Sequence, residues 1–302
     1  MKILARLILI AATLSVATQS YAEPAAVLPV GSHYPIGAEG LKGASLPPPG
    51  FYVRDYNYFY YADKVDGLPA KMDFFAYVQA LKLVYLTDYK ILGANWGVDM
   101  IVPFPYKNIS GQLGTAGQFG LGDIYACPLL LSWHLQKFDF SFAYGIWAPS
   151  GNFDPGTSSA PLRGLDSPGD GFWSHMITLG GTWYPDAKKT WAVSLLNRYE
   201  INTEQDQTQI TPGNMYSLEW GVSKTVAQGV DVGLVGYWQQ ETTEDSGVHA
   251  ATALSHVVGV GPEVSVLWEK IGLISTLRYV YEADAKDRPQ GHTVTLTLTK
   301  RF

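Results

Sequence analysis

The chain ends on His292-Thr-Val-Thr-Leu-Thr-Leu-Thr-Lys-Arg-Phe302, a stretch in which polar and apolar residues alternate one by one. Successive side chains of an extended strand point to opposite faces, so Val294, Leu296 and Leu298 share one face and the threonines share the other. An apolar face against lipid and a polar face against a lumen is the pattern of a transmembrane β-barrel strand. The stretch therefore predicts the last strand of such a barrel.

Phe302 closes this strand, and the chain, on an aromatic residue. A terminal aromatic residue of this kind is similar to the signal that outer-membrane proteins present to their insertion machinery, so we expect that machinery to be a partner recognised through Phe302. Lys300 departs from the usual pattern, because the third position from the end is more often apolar.

The beginning of the chain predicts export. Lys2 and Arg6 precede an apolar run, and a small residue stands on either side of Tyr21 in Ser20-Tyr21-Ala22. This is the layout of a secretory signal peptide, and we expect residues 1–22 to be removed. Their removal leaves 19 basic residues against the 27 acidic residues of the chain, a balance that argues against nucleic acid as a partner.

Composition favours a barrel over an ordinary secreted domain. Charged residues make up 16% of the chain, below the roughly 25% of soluble proteins. After the signal peptide no apolar run approaches the roughly 20 residues that a membrane helix needs, so the remaining way to cross a lipid bilayer is a closed sheet. Cys127 is the single cysteine, which excludes an intramolecular disulfide and indicates a small buried residue.

The period-two pattern predicts an all-β protein, a transmembrane antiparallel up-and-down barrel of about 12 strands over residues 51–302. Tight connections alternate with longer ones such as Asn108 to Gln118, Gly151 to Asp170 and Ala285 to Gly291, as expected for periplasmic turns and external loops. Cys127-Pro128 predicts a bulge. The predicted strands are 51–61, 71–86, 95–107, 119–134, 138–150, 171–185, 190–204, 213–225, 229–242, 253–268, 271–284 and 292–302.

The tryptophans fit these strands, because interfacial tryptophans should lie near strand ends. We expect five at the periplasmic ends and three toward the external rim, with Trp220 as the exception. The periplasmic set is Trp96, Trp133, Trp183, Trp191 and Trp268, and the external set is Trp147, Trp173 and Trp238.

Charged residues fall on the face predicted to point into the barrel. Two explanations stay open: oppositely charged neighbours, such as Arg198 with Glu200 or Glu219, pair so that no ion is left alone in the lumen, or the charges line a solute path. The candidate lumen-lining residues are Asp55, Asp99, Asp123, Asp139, Arg198, Glu200, Glu219, Asp231, Glu263 and Arg278. In the loop 151–170, the candidates for a constriction at the mouth are Asp154, Arg163, Asp166 and Asp170.

Motifs along nearly the whole mature chain resemble the outer-membrane family named for transport in the meta-cleavage pathway of phenol degradation. The resemblance implies a barrel in the outer membrane and, more loosely, an aromatic or hydrophobic solute. The matching stretches are Ser32-His33-Tyr34, Gly37 to Lys42, Leu46 to Tyr52, Thr87 to Ala94, Gln118 to Tyr125, Gly171 to Trp173, Lys189 to Trp191, Arg198 to Glu200, Thr211 to Asn214, Gly261 to Glu263 and Ala285 to Pro289.

Residues 23–50 precede the first predicted strand and are rich in proline and glycine. Two interpretations stay open. The segment is either a periplasmic leader or a small plug that enters the barrel from the periplasmic side, with Glu39 or Lys42 meeting lumen charges.

The function predicted from the sequence is passive uptake of small, aromatic or hydrophobic solutes through an outer-membrane barrel surrounded by lipid. A structural or adhesive barrel with a filled lumen is the alternative. A lipid hydrolase of the outer membrane is disfavoured, because the six histidines include no His-x-Ser element. No metal spacing or cofactor motif is present either, so we expect no catalytic residue, metal or cofactor.

Overall fold

The computed structural model describes residues 28–67, 71–155, 165–247 and 250–302. The predicted signal peptide 1–22 and the predicted constriction residue Arg163 lie outside these ranges. Within them, no helix has the length and apolar character needed to cross a membrane. The described residues form a closed antiparallel β-barrel, which confirms the predicted fold class.

The strands of the barrel wall are β1 Gly50–Val65, β2 Met72–Ile91, β3 Ala94–Gly111, β4 Gly114–Phe119, β5 Ile124–His134, β6 Phe138–Ala148, β7 Ser174–Trp183, β8 Trp191–Asn202, β10 Met215–Ala227, β11 Val230–Glu241, β13 His256–Trp268, β14 Leu273–Lys286 and β15 Pro289–Arg301. Each strand pairs with the next strand of the wall, and β1 pairs with both β2 and β15 to close the sheet. β4 and β5 follow one another along the same neighbour, β3, and together occupy one of twelve wall positions. β9 Ile210–Thr211 and β12 Ser246–Gly247 pair with each other outside the wall.

The last strand has the two faces that its sequence predicts. Thr293, Thr295 and Thr297 are fully buried in the interior, whereas Val294 and Leu296 are exposed on the outside. The threonine hydroxyls add polarity to the lumen, and the aliphatic side chains meet lipid.

Several predicted loops are shorter than expected, because the strands continue beyond their apolar stretches. Residues 108–118, predicted as a long loop, form the end of β3, a turn at Gln112 and the strand β4. Residues 285–291 likewise continue β14 and β15 around a turn at Asp287. These hairpin extensions carry polar residues on both faces, so hydrophobic alternation did not reveal them.

The predicted bulge at Cys127-Pro128 is confirmed. The β5–β6 register shifts between Ala126 and Leu129, and the β3–β5 register shifts between Gly97 and Asp99. Pro128 has no N–H to donate, so one strand gains an unpaired residue where the ladder would need that donor.

Residues 28–49 lie inside the barrel. Tyr34, Ile36 and Ala44 are buried, and Tyr34 and Ile36 belong to a core cluster together with residues of the barrel wall such as Tyr237 and Trp147. The segment therefore replaces part of the interior that a barrel of this size would otherwise fill with water or with its own side chains.

Candidate functional site

The N-terminal segment is attached first through Glu219 on β10. The Glu219 carboxylate accepts hydrogen bonds from the Tyr34 hydroxyl at 2.8 Å and from the backbone N–H groups of Gly37 and Glu39 at 3.0 Å each. Arg198 on β8 forms an ion pair with the same carboxylate and lies over the Tyr34 ring, with its guanidinium carbon 3.9 Å from the ring centroid. One wall carboxylate thus organises a turn of the segment.

A second attachment is built around Arg278 on β14. Its Nε donates to Glu263 Oε2 at 2.5 Å, and its Nη1 donates to the carbonyl of Gly37. Glu263 Oε1 accepts a hydrogen bond from the backbone N–H of Leu41 at 3.1 Å. Gly40 passes so close that a Cβ atom there would lie 1.8 Å from Glu263 Oε2, so a larger residue would displace the Glu263–Arg278 ion pair or the segment.

Glu39 connects the segment to the opposite wall. Its carboxylate accepts hydrogen bonds from Arg54 at 2.8 Å and from the Tyr56 hydroxyl at 2.6 Å, both on β1. Burial by itself would raise the pKa of Glu39, but the positive charges of Arg54, Lys82 and Arg198 outweigh it and hold the pKa at about 2. Lys42 extends the attachment with a 2.6 Å contact from its Nζ to Asp231 Oδ2.

His33 forms a further attachment toward the external end. Its Nε2 lies 3.0 Å from Asp123 Oδ2, its Nδ1 lies 2.8 Å from Ser174 Oγ, and its ring stacks on Trp147. Burial would lower the pKa of His33, but the Asp123 hydrogen bond and the charges of Asp170, Glu200 and Asp123 raise it above the usual value. The imidazolium form, in which both ring nitrogens donate, fits both contacts.

Ser174, His33 and Asp123 resemble a hydrolytic triad by distance, but their hydrogen bonds run in the wrong direction. The Ser174 hydroxyl donates to Asn202 Oδ1 at 2.6 Å, and Asn202 is oriented by its own amide bond to the carbonyl of Gly213 at 2.7 Å. A nucleophilic serine must instead donate to a neutral histidine that can take its proton. The triad geometry therefore holds the segment and does not activate Ser174.

The same place offers three groups that could surround a cation. Ligand atoms of His33, Asp123 and Asp170 lie within 4.8 Å of one another. Asp123 already accepts hydrogen bonds from the backbone N–H of Gly151 and of Asp170, each at 2.8 Å, and Asp170 contacts Lys107 Nζ at 3.3 Å. These donors already satisfy both carboxylates, so the arrangement fits a hydrogen-bonded latch.

Between the segment and the wall lies a cavity of about 750 Å³. The wall of β1 to β3 supplies its aromatic and aliphatic surface, and Ile36, Leu41 and Leu46 of the segment face it. The wall residues that line the cavity on this side include Tyr52, Tyr56, Tyr58, Tyr60, Phe74, Ala76, Val78, Ala80, Val84, Ile101, Pro103, Pro105 and Ile109.

Several charged residues in this cavity form ion pairs. Lys82 Nζ lies 3.5 Å from Asp99 Oδ2, and Arg54 reaches Glu39. Tyr60 and Tyr237 both donate to Glu282, at 2.7 and 3.0 Å. The cavity thus presents an apolar surface interrupted by paired ions and tyrosine hydroxyls, which suits an uncharged solute with a small polar group.

The structure separates the predicted lumen residues into groups. Asp99, Asp123, Arg198 and Asp231 line the cavity. Glu200, Glu219, Glu263 and Arg278 point inward but hold the N-terminal segment. Asp139 is buried beside the Tyr184 hydroxyl, which donates to it at 2.7 Å. Of the two partners considered for Arg198, the structure shows Glu219.

Asp55 is a correction, because it lies on the outer face of β1. Tyr52, Tyr56 and Tyr58 are the buried residues of this strand, so the odd positions face lipid. Asp55 there accepts amide hydrogen bonds from Asn57 at 3.1 Å and Gln79 at 3.3 Å. Both faces of β1 carry polar and aromatic residues, so period two alone could not decide which face points inward.

The loop 151–170 also differs from its prediction. Of the described constriction candidates, Asp170 lines the cavity, whereas Asp154 is exposed and Asp166 is buried without lining the cavity. Trp147, predicted for the external rim, faces the interior against His33 and Tyr125. Trp173 and Trp238 are exposed, as an interfacial position requires.

Sequence reasoning missed His33, Arg54, Lys82 and Glu282. Arg54 lies on β1, whose inner face the prediction for Asp55 reversed, and Lys82 lies on β2, for which no inward charge was predicted. Glu282 shares the inner face of β14 with the predicted Arg278, and His33 lies on a segment without strand periodicity. The one usable signal for His33 is the Ser32-His33-Tyr34 motif, which is part of the family resemblance but does not by itself indicate a role.

The profile of the protein family described as "Putative MetA-pathway of phenol degradation" matches residues 57–298. The chain belongs to this family. The resemblance read from the motifs is thereby confirmed, and no curated protein sequence matches the chain.

Solved structures share the fold of this family member. A COG4313 outer membrane channel from Pseudomonas putida F1 aligns with a TM-score of 0.71 at 13% identity, covering 86% of this chain and 97% of that one. The translocator domain of the autotransporter NalP from Neisseria meningitidis aligns with a TM-score of 0.51 at 12% identity, covering 86% and 91%. The β domain of the Bordetella autotransporter BrkA aligns with a TM-score of 0.51 at 13% identity, covering 84% of this chain and 99% of that one. The protein is a β-barrel of the bacterial outer membrane.

Proposed function

We propose that the protein is a passive channel for small aromatic or hydrophobic solutes. The observation that carries this proposal is the cavity of about 750 Å³ inside the barrel. A cavity of this size accommodates a single-ring compound, and typical ligand pockets of about 300–1,000 Å³ combine an apolar lining with a few polar groups. The similarity to a COG4313 outer membrane channel supports the same function.

The lining supports an uncharged solute over an ion. Phe74, Val78 and Ile109 provide apolar contact, and the Tyr58 hydroxyl, which bonds the carbonyl of Ile36 at 3.2 Å, lies beside them. Transfer of an aromatic ring from water to such a surface is favourable at about 25 cal/mol per Å² of apolar area. An ion gains no comparable contact from this apolar surface, because Lys82, Arg54 and Lys42 are already paired with carboxylates.

In this proposal, residues 28–49 are a plug. Their attachments through Glu219, Glu263 and Glu39 are polar and occur at separate points, so the plug can shift without unfolding the barrel. Movement of the plug would join the cavity to the periplasm. Removal of Glu23 to Ala44 should then raise conductance and solute uptake, and unchanged values would contradict the plug.

The test uses the refolded mature protein in planar bilayers, with phenol or benzoate added. We expect discrete conductance steps that phenol blocks. Ala80→Trp places a large ring in the cavity and should abolish this block, because Ala80 lines the cavity wall. Val222→Trp is the matched control, since Val222 is exposed on the lipid face.

The alternative, a structural or adhesive barrel with a filled lumen, predicts a different result. A correctly folded but silent barrel, insensitive to both Ala80→Trp and the plug deletion, would overturn the channel. Folding is checked by the shift in gel mobility between heated and unheated samples.

A further inference from the structure

The barrel wall has a weak seam between β3 and the four residues that separate β4 from β5. Above the seam, Tyr106 pairs with Phe119, and below it Ile101 pairs with Tyr125. Residues 102–105 and 120–123 face each other between these pairs without forming a regular ladder. On its other side β3 remains fully paired with β2 over the same stretch.

The seam is weak because two of its backbone donors are missing. Gly120 N donates to the carbonyl of Pro105 at 3.2 Å, and Gly122 N donates to the carbonyl of Pro103 at 2.9 Å. In a regular antiparallel ladder each of these pairs would exchange two hydrogen bonds. Proline has no N–H, so each of these two pairs keeps one hydrogen bond. Half of the hydrogen bonds expected between these two pairs, in a wall that lies in lipid, are therefore absent.

The inner side of the seam borders the proposed solute cavity. Pro103, Pro105 and Gly122 all line it. A Cβ atom on Gly122 would come within 3.1 Å of both proline rings, so the glycine keeps the space between cavity and seam free of a side chain.

The outer side of the seam faces lipid. Phe119 and Leu121 are exposed, at 64% and 38% of their surfaces. Phe104 lies eight positions beyond Trp96 on β3. At about 3.3 Å per residue and a strand tilt near 40°, Phe104 lies about 20 Å above Trp96, which is within an apolar band about 25 Å tall. The seam therefore opens toward the outer half of the membrane.

We propose that this seam is a lateral outlet through which an apolar solute leaves the cavity for the lipid of the outer membrane. The inference rests on the proposed channel function and adds a route to it. A solute that favours the apolar cavity over water favours hydrocarbon as well, so an exit through the wall avoids rehydration on the periplasmic side. A wall with full hydrogen bonding would close this exit, and the two prolines keep it weak.

Asp123 ties the outlet to the plug. It ends the unpaired stretch 120–123, and it accepts hydrogen bonds from His33 of the plug and from Gly151 and Asp170 of the neighbouring loop. Release of His33 removes one of the three bonds that hold this end of the seam. Plug movement and outlet opening are thus coupled through one carboxylate.

A disulfide can lock the outlet. The register of the two retained bonds places Phe104 directly opposite Leu121 as a non-hydrogen-bonded pair, whose Cα atoms are about 4.5 Å apart in such ladders and within disulfide reach. Phe104→Cys with Leu121→Cys is made in a Cys127→Ala background. Val222→Cys with Leu234→Cys is the control pair, because these two residues are paired across the regular β10–β11 ladder and both are exposed.

The assay follows entry of N-phenylnaphthylamine, an apolar probe that fluoresces in lipid, into cells whose intact outer membrane excludes it. We expect the protein to accelerate entry, the oxidised seam pair to slow it several-fold, and reductant to restore it, with no change for the control pair. Pro103→Ala with Pro105→Ala restores both missing donors and should slow entry without any cross-link.

Three other results would overturn either the channel or the lateral outlet. Entry no faster than in cells lacking the protein would overturn the channel itself. Accelerated entry that neither the seam disulfide nor the proline substitutions slow would overturn the lateral outlet and leave a path through the lumen. Equal slowing by the control pair would also overturn the outlet, because it would show a general effect of cross-linking the wall.

Discussion

His33 Nε2 lies 3.0 Å from Asp123 Oδ2, which joins the N-terminal segment to the wall residue that ends the break between β4 and β5. Both side chains are almost completely buried. The contact is therefore a point at which protonation can act on the plug and the wall together.

We predict that the plug is released at alkaline pH. The pKa of His33 is raised in the folded protein above the value near 6.5 of an unfolded chain, so its stabilising contribution is complete below about pH 6.5 and is lost as the pH rises through the raised pKa. The groups that face it are Asp123, Asp170 and Glu200, with Lys107 beside Asp170. The frequency of channel opening should increase from pH 6 to pH 9.

His33→Gln should open more often at pH 6 and lose the pH dependence, since glutamine keeps hydrogen bonds but carries no charge. His292→Gln is the control, because His292 is exposed and contacts Tyr279 on the outer surface. The same pH dependence in His33→Gln and in the wild type would contradict the latch.

A second prediction concerns attachment of the plug through Glu39. Glu39→Ala leaves Arg54 without its carboxylate partner; loss of a buried pair costs about 3–5 kcal/mol, and partial exposure of Arg54 reduces this to about 2 kcal/mol. The plug should loosen while the barrel stays folded. Trypsin cleavage after Lys42 should become faster by more than tenfold.

Glu39 also gives the attachment of the plug an acid dependence. Its pKa of about 2 lies below that of a free glutamate, so its contribution is present above about pH 4.5 and is lost as the pH falls toward 2. Glu269→Gln is the control, because Glu269 lies in an exposed turn. Equal cleavage rates for Glu39→Ala and the wild type would show that the ion pair does not hold the plug.

A third prediction uses the close approach of Gly40. Gly40→Ala would place a Cβ atom 2.5 Å from Arg278 Nη2 and still nearer to Glu263, so the plug must move or the ion pair must break. Single-channel conductance should rise, with barrel folding unchanged by gel mobility. Gly181→Ala is the matched control, because its Cβ atom would meet only ordinary contacts at 3.4 Å.

A fourth prediction separates the inner and outer carboxylates. Asp99→Asn leaves Lys82 as an unpaired cation in the cavity, so the reversal potential in a salt gradient should shift toward anions. Asp55→Asn should leave the reversal potential unchanged, because Asp55 lies outside the barrel. A shift caused by Asp55→Asn would contradict the assigned face of β1.

The sequence predicted the barrel because lipid imposes a simple rule on it. Val294 and Leu296 had to face hydrocarbon, and their threonine neighbours had to face inward, whatever the rest of the chain did. The bulge at Pro128 was predictable for the same local reason, since a missing donor acts on its own ladder.

The site followed no such local rule. Glu219 meets Tyr34 across 185 residues of sequence, and Arg278 meets Gly37 across 241. Which carboxylate holds the plug and which lines the cavity depends on barrel closure, on strand register and on how the segment enters.

The amino-acid sequence by itself determined the fold class, the outer-membrane location and the inner face of strands with one apolar side, because alternation against lipid is a local constraint. Tertiary structure decided the face of Asp55, the role of His33 and the existence of the seam at Pro103 and Pro105. Those features arise from contacts between residues far apart in the chain, where the physical chemistry of one residue is set by neighbours that only the closed barrel supplies.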